Sequence, residues 1–469
     1  MNGEWHTMHR DTLIKEFRER FGGDPNVLIS APGRVNLIGE HTDYNGFPVL
    51  PVSIPFAIRA AASARPDGIV HIVNRNSEYP PRTFTIEKDI PHSPPGDWSN
   101  YVKAAVWELA RHSRTTLRGM NVLFDGDIPA SAGLSSSSAL VIASALALLE
   151  TNGLRGHPNL CSAQIGDPYK RIELAEMMAE GERYVGTQGG GMDQAICLLG
   201  EEGKALRIDF FPLRYSPLEF PSGCSIVVAH SLIRAAKTEN TLLLYNRRPV
   251  ECRLATTLIN SIHAPIPPLN RLGDLPRYDF FARFRTYGEF VDYTFPEEAY
   301  PLELIARLCG ESEQWLAERC LMTRSGNPIT EPPDGFRIRQ RVLHILTEAE
   351  RVEKSCGALK RKDAAAFGEL MNESHRSCDL QYDISTPELN ALTSIMREAG
   401  GLGARLTGAG FGGCAIALAH DTDIERIAAA VRDEYYGKYL SSVHPELAGA
   451  EILFTAKPSR GATVENLLS

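Results

Sequence analysis

Apolar positions recur along this chain with the spacing of helices in some stretches and of strands in others. Leu13, Phe17 and Phe21 share one face of residues 11–21, the period of an amphipathic helix. Residues 27–30 predict a short strand running into Ala31-Pro32-Gly33, and further strands are predicted over 55–62, 68–74, 121–125 and 224–230. Helical spacing returns over 171–186, where Ile172, Ala175, Met178 and Ala179 make one stripe, and again over 338–375. Residues 404–418 join a strand pattern to glycines. The elements alternate without regular βαβ spacing, which predicts an α+β architecture rather than a doubly wound sheet. Residues 264–337 are dense in proline and aromatics and read as a surface insertion around one or two helices. They hold too many aromatics to stay solvated as a linker.

Length and charge narrow the picture. A chain of 469 residues exceeds the roughly 250–300 that one core supports, so two domains are expected, 1–220 and 221–469. The net charge of −9 argues against non-specific nucleic-acid binding, which needs clustered Lys and Arg. The run Lys360-Arg361-Lys362 reads as a solvated helix end. Nine cysteines without a C-x-x-C pair read as reduced thiols in the cytoplasm. The near-apolar run 139–149 falls well short of the ~20 residues a membrane span needs.

The stretch Gly126-Asp127-Ile128-Pro129-Ala130-Ser131-Ala132-Gly133-Leu134-Ser135-Ser136-Ser137-Ser138-Ala139-Leu140 leads from a strand through small residues into an apolar helix. A helix that starts in serines presents unpaired N–H groups and a positive dipole end, which together suit a phosphate. Taken alone, the segment reads equally well as a Ser-capped buried helix. It is neither a Walker A loop nor a nucleophile elbow. A second cluster, Gly33-Arg34-Val35-Asn36-Leu37-Ile38-Gly39-Glu40-His41-Thr42-Asp43-Tyr44, crowds donors and acceptors between glycines, as a sugar with fixed hydroxyls requires. A turn with surface charges is its plain alternative.

These residues resemble the galactokinases. The second cluster looks like their signature, the serine loop like the second motif of the wider GHMP kinase superfamily, and Leu406-Thr407-Gly408-Ala409-Gly410-Phe411-Gly412-Gly413-Cys414 like the third. The resemblance implies a two-lobed GHMP kinase fold with the active site between the lobes. It implies transfer of phosphate from ATP to the anomeric hydroxyl of galactose. Asp193, in Gly189-Gly190-Gly191-Met192-Asp193-Gln194, would accept or orient the sugar proton, with Arg34 stabilising negative charge beside it. Glu40, His41, Asp43, Gly190 and Tyr245 would contact the sugar. Gly133, Leu134, Ser135, Ser136, Ser137 and Ser138 would line the nucleotide, with Trp98 flanking adenine, unless that lone tryptophan is core. Mg²⁺ would sit on Ser137 and Glu182. Gly408, Ala409 and Gly410 would support the phosphate region.

The Gly189–Gln194 context and the insertion look like the eukaryotic-type branch, which also holds N-acetylgalactosamine kinases. Tyr245, a Phe in those relatives, points to galactose. Ser131 and Phe411 depart from the Gly and Trp common in the family. A galactose-sensing regulator of the same fold is the non-enzymatic alternative, against which the intact serine loop speaks. The partners expected are the sugar and ATP, with no nucleic acid or membrane, and the chain is expected to act as a monomer.

Overall fold

The computed structural model describes residues 2–113, 115–129, 132–154, 168–186, 189–233, 239–323 and 326–467. The first half of the chain builds a sheet from β1 (Val27–Asn36), β2 (Pro51–Ala64), β3 (Ile69–Asn74), β4 (Arg82–Thr85) and β5 (Met120–Gly126). The strand predicted over 27–30 runs on through the Arg34 segment, with an irregularity in register between Pro32 and Arg34. Among the described residues only β3 and β5 pair in parallel, which bears out the α+β expectation. Helix α1 (Asn2–Phe21) covers one face of the sheet, its Leu13 and Phe17 packed on Leu28, Ala61 and Leu123. Helices α2 (Ser99–His112), α3 (Ser136–Thr151), α4 (Pro168–Gly181) and α5 (Met192–Leu199) cover the other. Apolar side chains line α3 on all sides, and nearly all of them are buried, as expected of a helix inside a core.

After a hairpin of β6 (Lys204–Asp209) and β7 (Arg214–Glu219), a second sheet begins with β8 (Cys224–His230). The long α6 (Glu239–His263) follows, then the proline- and aromatic-rich stretch, which holds α7 (Tyr287–Thr294), α8 (Leu302–Cys309) and the single turn α9 (Glu313–Leu316). This stretch is less superficial than its composition suggests. Its Phe290, Phe295, Tyr300 and Phe336 are fully buried in a core shared with α6 and α10 (Ile338–Lys360). The helical stretch 338–375 divides at exposed Arg361 and Lys362 into α10 and α11 (Ala364–Leu380). Helix α12 (Pro387–Glu398) then leads to β9 (Gly403–Leu406) and β10 (Cys414–His420), followed by α13 (Ile424–Ala430), β11 (Leu453–Ala456) and β12 (Thr463–Asn466).

The second sheet, in the order β11-β8-β10-β9, is buried on both faces. Ile226 and Val228 of β8 face the first core while Val227 and Ala229 face the second, as the two-residue period of a strand dictates. A division after residue 220 would leave β12 with the second half of the chain, yet β12 pairs with β1 and closes the first sheet. No helix among the described residues is long and apolar enough to cross a membrane.

Candidate active site

The three glycine-containing segments meet at the junction of the two cores, built from β1, the start of α3, the start of α5 and the turn after β9. Arg34 leaves β1 with its backbone N–H donating to the Leu134 carbonyl at 3.1 Å. Its guanidinium grips both oxygens of Asp193, Nε to Oδ1 at 2.8 Å and Nη2 to Oδ2 at 3.0 Å. This is the fork-to-fork geometry that fixes a carboxylate in orientation as well as in charge. Nη1 of the same side chain donates to the Gly133 carbonyl, so one arginine joins two of the motifs. The Ser135 hydroxyl also donates to Asp193 Oδ2. Asp193 stands at the first turn of α5, following Gly191 at φ +103°, and its side chain remains about a quarter exposed.

Ser135 holds a left-handed backbone at φ +60° and precedes α3 without capping it. The N–H groups of Ser136, Ser137 and Ser138 consequently have no acceptor among the described residues. Three free donors on the positive end of a sixteen-residue helix form an anion site. Ser138 Oγ donates to Glu182 Oε1 at 2.6 Å. The hydroxyl that meets Glu182 directly is thus that of Ser138, which turns inward on α3 and is buried, while Ser137, the serine expected beside a metal, is partly exposed.

Around the segment expected to receive the sugar, Asp43 accepts the Gly190 N–H at 3.0 Å. A Cβ at Gly190 would collide with the backbone of Asp43 and Tyr44, so only glycine allows this approach. Burial, with the Asp193 charge adding to it, pushes the Asp43 carboxyl up to about 6 against the N–H bonds it accepts. Glu40 is buried, with Oε1 accepting from Arg405 Nη1 at 3.0 Å and from the Gly408 N–H at 2.9 Å. Burial raises its carboxyl above the usual range, and Arg405 opposes that rise.

His41 sits at φ +61° with both ring nitrogens engaged. Nε2 lies 3.1 Å from the Ala409 carbonyl, which can only accept, so Nε2 carries the hydrogen. Nδ1 then accepts from the Tyr44 hydroxyl at 2.9 Å, and Tyr44 in turn accepts from Tyr382 at 2.8 Å. Burial lowers the imidazole to about 3, so His41 is neutral at any ordinary pH. Its ring stacks at a tilt, 5.5 Å from that of Tyr245. The Tyr245 hydroxyl has no hydrogen-bond partner among the described residues, and its pKa is raised by burial and by Asp43, Asp193 and Glu182 around it. It is a donor left open near the Asp43 and Asp193 carboxylates.

Several expected contacts take a different form. The Ser135 hydroxyl donates to Asp193, the Leu134 side chain is buried, and Gly133 and Leu134 offer carbonyls to Arg34. The Gly190 N–H is already bonded to Asp43. Trp98 stands apart, 7% exposed, with its indole N–H on the Pro80 carbonyl and its ring against Phe124 and Tyr79. This is the packing alternative, since its one polar atom already has a partner. Gly408 lies so close to Gly133 that a Cβ would meet the Gly133 carbonyl at 2.7 Å, which seats the third segment on the second. Phe411, at φ +60°, packs its ring 5.6 Å from the Arg248 guanidinium. Ser131 and Cys161 lie outside the described residues.

Sequence reasoning missed Arg405, Glu348, His344, Ser374 and Tyr382, all buried around the sugar loop. A signal existed for one of them, an arginine between Ala404 and Leu406 in an otherwise apolar strand.

Known proteins resemble this chain in sequence and in fold. Residues 15–64 match the family model of the galactokinase galactose-binding signature, 100–201 that of the GHMP kinase N-terminal domain, and 357–437 that of the C-terminal region. The galactokinase of Dictyostelium discoideum is 33% identical over 99% of this chain and 95% of its own length. The crystal structure of Lactococcus lactis galactokinase complexed with galactose superposes with a TM-score of 0.72 at 27% identity, covering 97% of this chain and 99% of that one. The mevalonate kinase of Methanococcus jannaschii shares the fold at 15% identity, with a TM-score of 0.55 over 93% of this chain and 99% of that one.

Proposed function

The chain belongs to the galactokinase family and has the α+β fold of the GHMP kinases, and from that premise we propose how its residues perform the reaction. It is an ATP-dependent galactose 1-kinase. The observation that carries the mechanism is Asp193, held by Arg34 and by Ser135, the residue that directly precedes the uncapped start of α3. The anomeric hydroxyl is placed against Asp193, and its oxygen attacks the γ-phosphorus of ATP in line with the departing ADP oxygen. Its proton passes to the Asp193 carboxylate as the new bond to phosphorus forms. Arg34 keeps that carboxylate aimed and lies where negative charge gathers on the transferring group. The free N–H groups of Ser136, Ser137 and Ser138 receive the phosphate chain.

Asp43, Glu40 and the open Tyr245 hydroxyl are proposed to pair with galactose hydroxyls, and His41 shapes the wall behind them. An epimer of the wrong configuration would leave these buried groups unpaired. Ser138 Oγ and Glu182 Oε1, both hard oxygens beside the phosphate site, fit a Mg²⁺ ion. Among the described residues no cluster of three or more His, Cys, Asp or Glu could hold a metal, which suits an ion bound mainly by nucleotide phosphates and water. When bound, Mg²⁺ supplies charge neutralisation on those phosphates. We take the reducing cytoplasm as the compartment, in line with eight described cysteines that are all unpaired, and the monomer as the working form.

A coupled ADP-release assay over galactose, N-acetylgalactosamine, arabinose and glucose tests the reading. Turnover greatest on galactose is expected. Absence of turnover on every sugar with ligand binding retained would convert the protein into a sensor.

A further inference from the structure

Beneath the loop that carries Gly39 and Glu40 lies a charged cage, of which Glu40 alone belongs to the proposed sugar site. Arg405, on β9 and fully buried, donates through Nη1 to Glu40 Oε1 and to the Asn36 carbonyl, both at 3.0 Å. Its Nε donates to Ser374 Oγ on α11 at 3.2 Å. Ser374 passes its own hydrogen to Glu348 Oε1 on α10. That same oxygen accepts the backbone N–H of Gly39 at 2.9 Å, and Arg351 holds the other at 2.7 Å. Two acids, Glu40 and Glu348, thus face two arginines, 405 and 351, and the buried charge sums to zero. Arg405, Glu348 and Ser374 are each 0% exposed, so none of them can reach a ligand.

The consequence is geometric. The Glu40 oxygen that meets Arg405 already accepts two bonds, so on the proposed reading it is the other carboxylate oxygen that pairs with the sugar. Which way it faces follows from where Arg405 holds its neighbour. The Gly39 N–H held by Glu348 fixes the backbone one residue earlier, so side chain and main chain are pinned from separate elements. We propose that Arg405 and Glu348 are positioning residues that set sugar affinity, holding Gly39 and Glu40 in the sugar-receiving geometry from the second half of the chain. This rests on the reading of Glu40 as a sugar contact.

The test uses Arg405→Lys and Glu348→Gln in the full chain. Lysine keeps the charge but cannot serve Glu40, Asn36 and Ser374 together, and glutamine keeps the shape but not the charge. The KM for galactose is expected to rise about tenfold in each, with the KM for ATP within about twofold and kcat reduced less than about threefold. Without ATP, the galactose-induced rise in thermal midpoint should shrink in the same variants. A folded variant of either kind with wild-type galactose KM overturns the proposal, as does a rise of both KM values in step. If either substitution lowers the midpoint of the free protein, the other variant and the ratio of the two KM values still decide. Failure of the wild type to phosphorylate galactose would instead sink the functional reading, and the sugar-induced midpoint shifts, run over the same four sugars, would still report on the cage.

Discussion

The two sides of the active site follow opposite plans. Around the sugar, the polar groups are bonded to protein before any ligand arrives. Glu40 holds Arg405 and Gly408, Asp43 holds Gly190, and both nitrogens of His41 are engaged, with the Tyr245 hydroxyl the open exception. Around the phosphates, backbone donors at the start of α3 have no acceptor among the described residues. The difference follows from what each side must tell apart. Epimers differ only in the direction of one hydroxyl, so their acceptors must be immobile, and immobility requires bonds on the far side. Phosphate chains need positive potential and N–H groups, and any well-placed helix start supplies both.

Asp193, where the two plans meet, offers the sharpest way to break this picture. Asp193→Ala is expected to lower kcat by about 10³-fold or more while ATP and galactose still raise the thermal midpoint. Turnover near the wild-type rate would remove Asp193 from the mechanism. Next in size is the phosphate side. Ser138→Ala and Glu182→Gln should each weaken use of Mg²⁺-ATP by about 10–100-fold, visible as a higher Mg²⁺ requirement, with the galactose KM unchanged. A matching rise in galactose KM would show that the two sides are not separate.

The sugar side carries a pH signature. Asp43, raised to about 6 by burial, is ionised above that pH and protonated below it. As pH falls through 6 an acceptor is lost, so the galactose KM should climb by up to about tenfold per unit. Asp43→Asn should flatten that limb, and an unchanged limb in this variant would assign it to another group. His41, neutral down to about 3, contributes nothing in this range. The smallest effect is expected for Tyr245→Phe, which removes only the open hydroxyl. The ratio of kcat/KM for galactose over N-acetylgalactosamine should fall several-fold, and a constant ratio would make Tyr245 a wall residue.

Among the described residues each of the three motifs also carries one residue other than glycine in the left-handed region, His41, Ser135 and Phe411. Such a backbone costs about 1–2 kcal/mol for a residue with a Cβ, and it persists where surrounding bonds over-determine it. At His41 those bonds are Ala409 and Tyr44, and at Ser135 the Asp193 carboxylate. At His41 and Ser135 the strained corner aims a side chain into the site, whereas the Phe411 ring packs on the Arg248 guanidinium.

Local pattern by itself determined β1, β2, β3 and β5 of the first sheet, though not β4 or β12, the apolar helix that opens in serines, and the identity of the motifs, because period and glycine placement are properties of neighbours in the chain. The Arg34–Asp193 pair was legible through resemblance to a family. Tertiary structure alone decided which serine meets Glu182, since that depends on how α3 is rotated against the turn after α4. It also decided that Trp98 is core and that the aromatic-rich stretch shares the second core. The cage of Arg405, Ser374 and Glu348 belongs to the same class, because its members lie more than 300 residues from Gly39 and Glu40 and no local period connects them. Packing brings such groups together, and only in the folded chain do their charges balance.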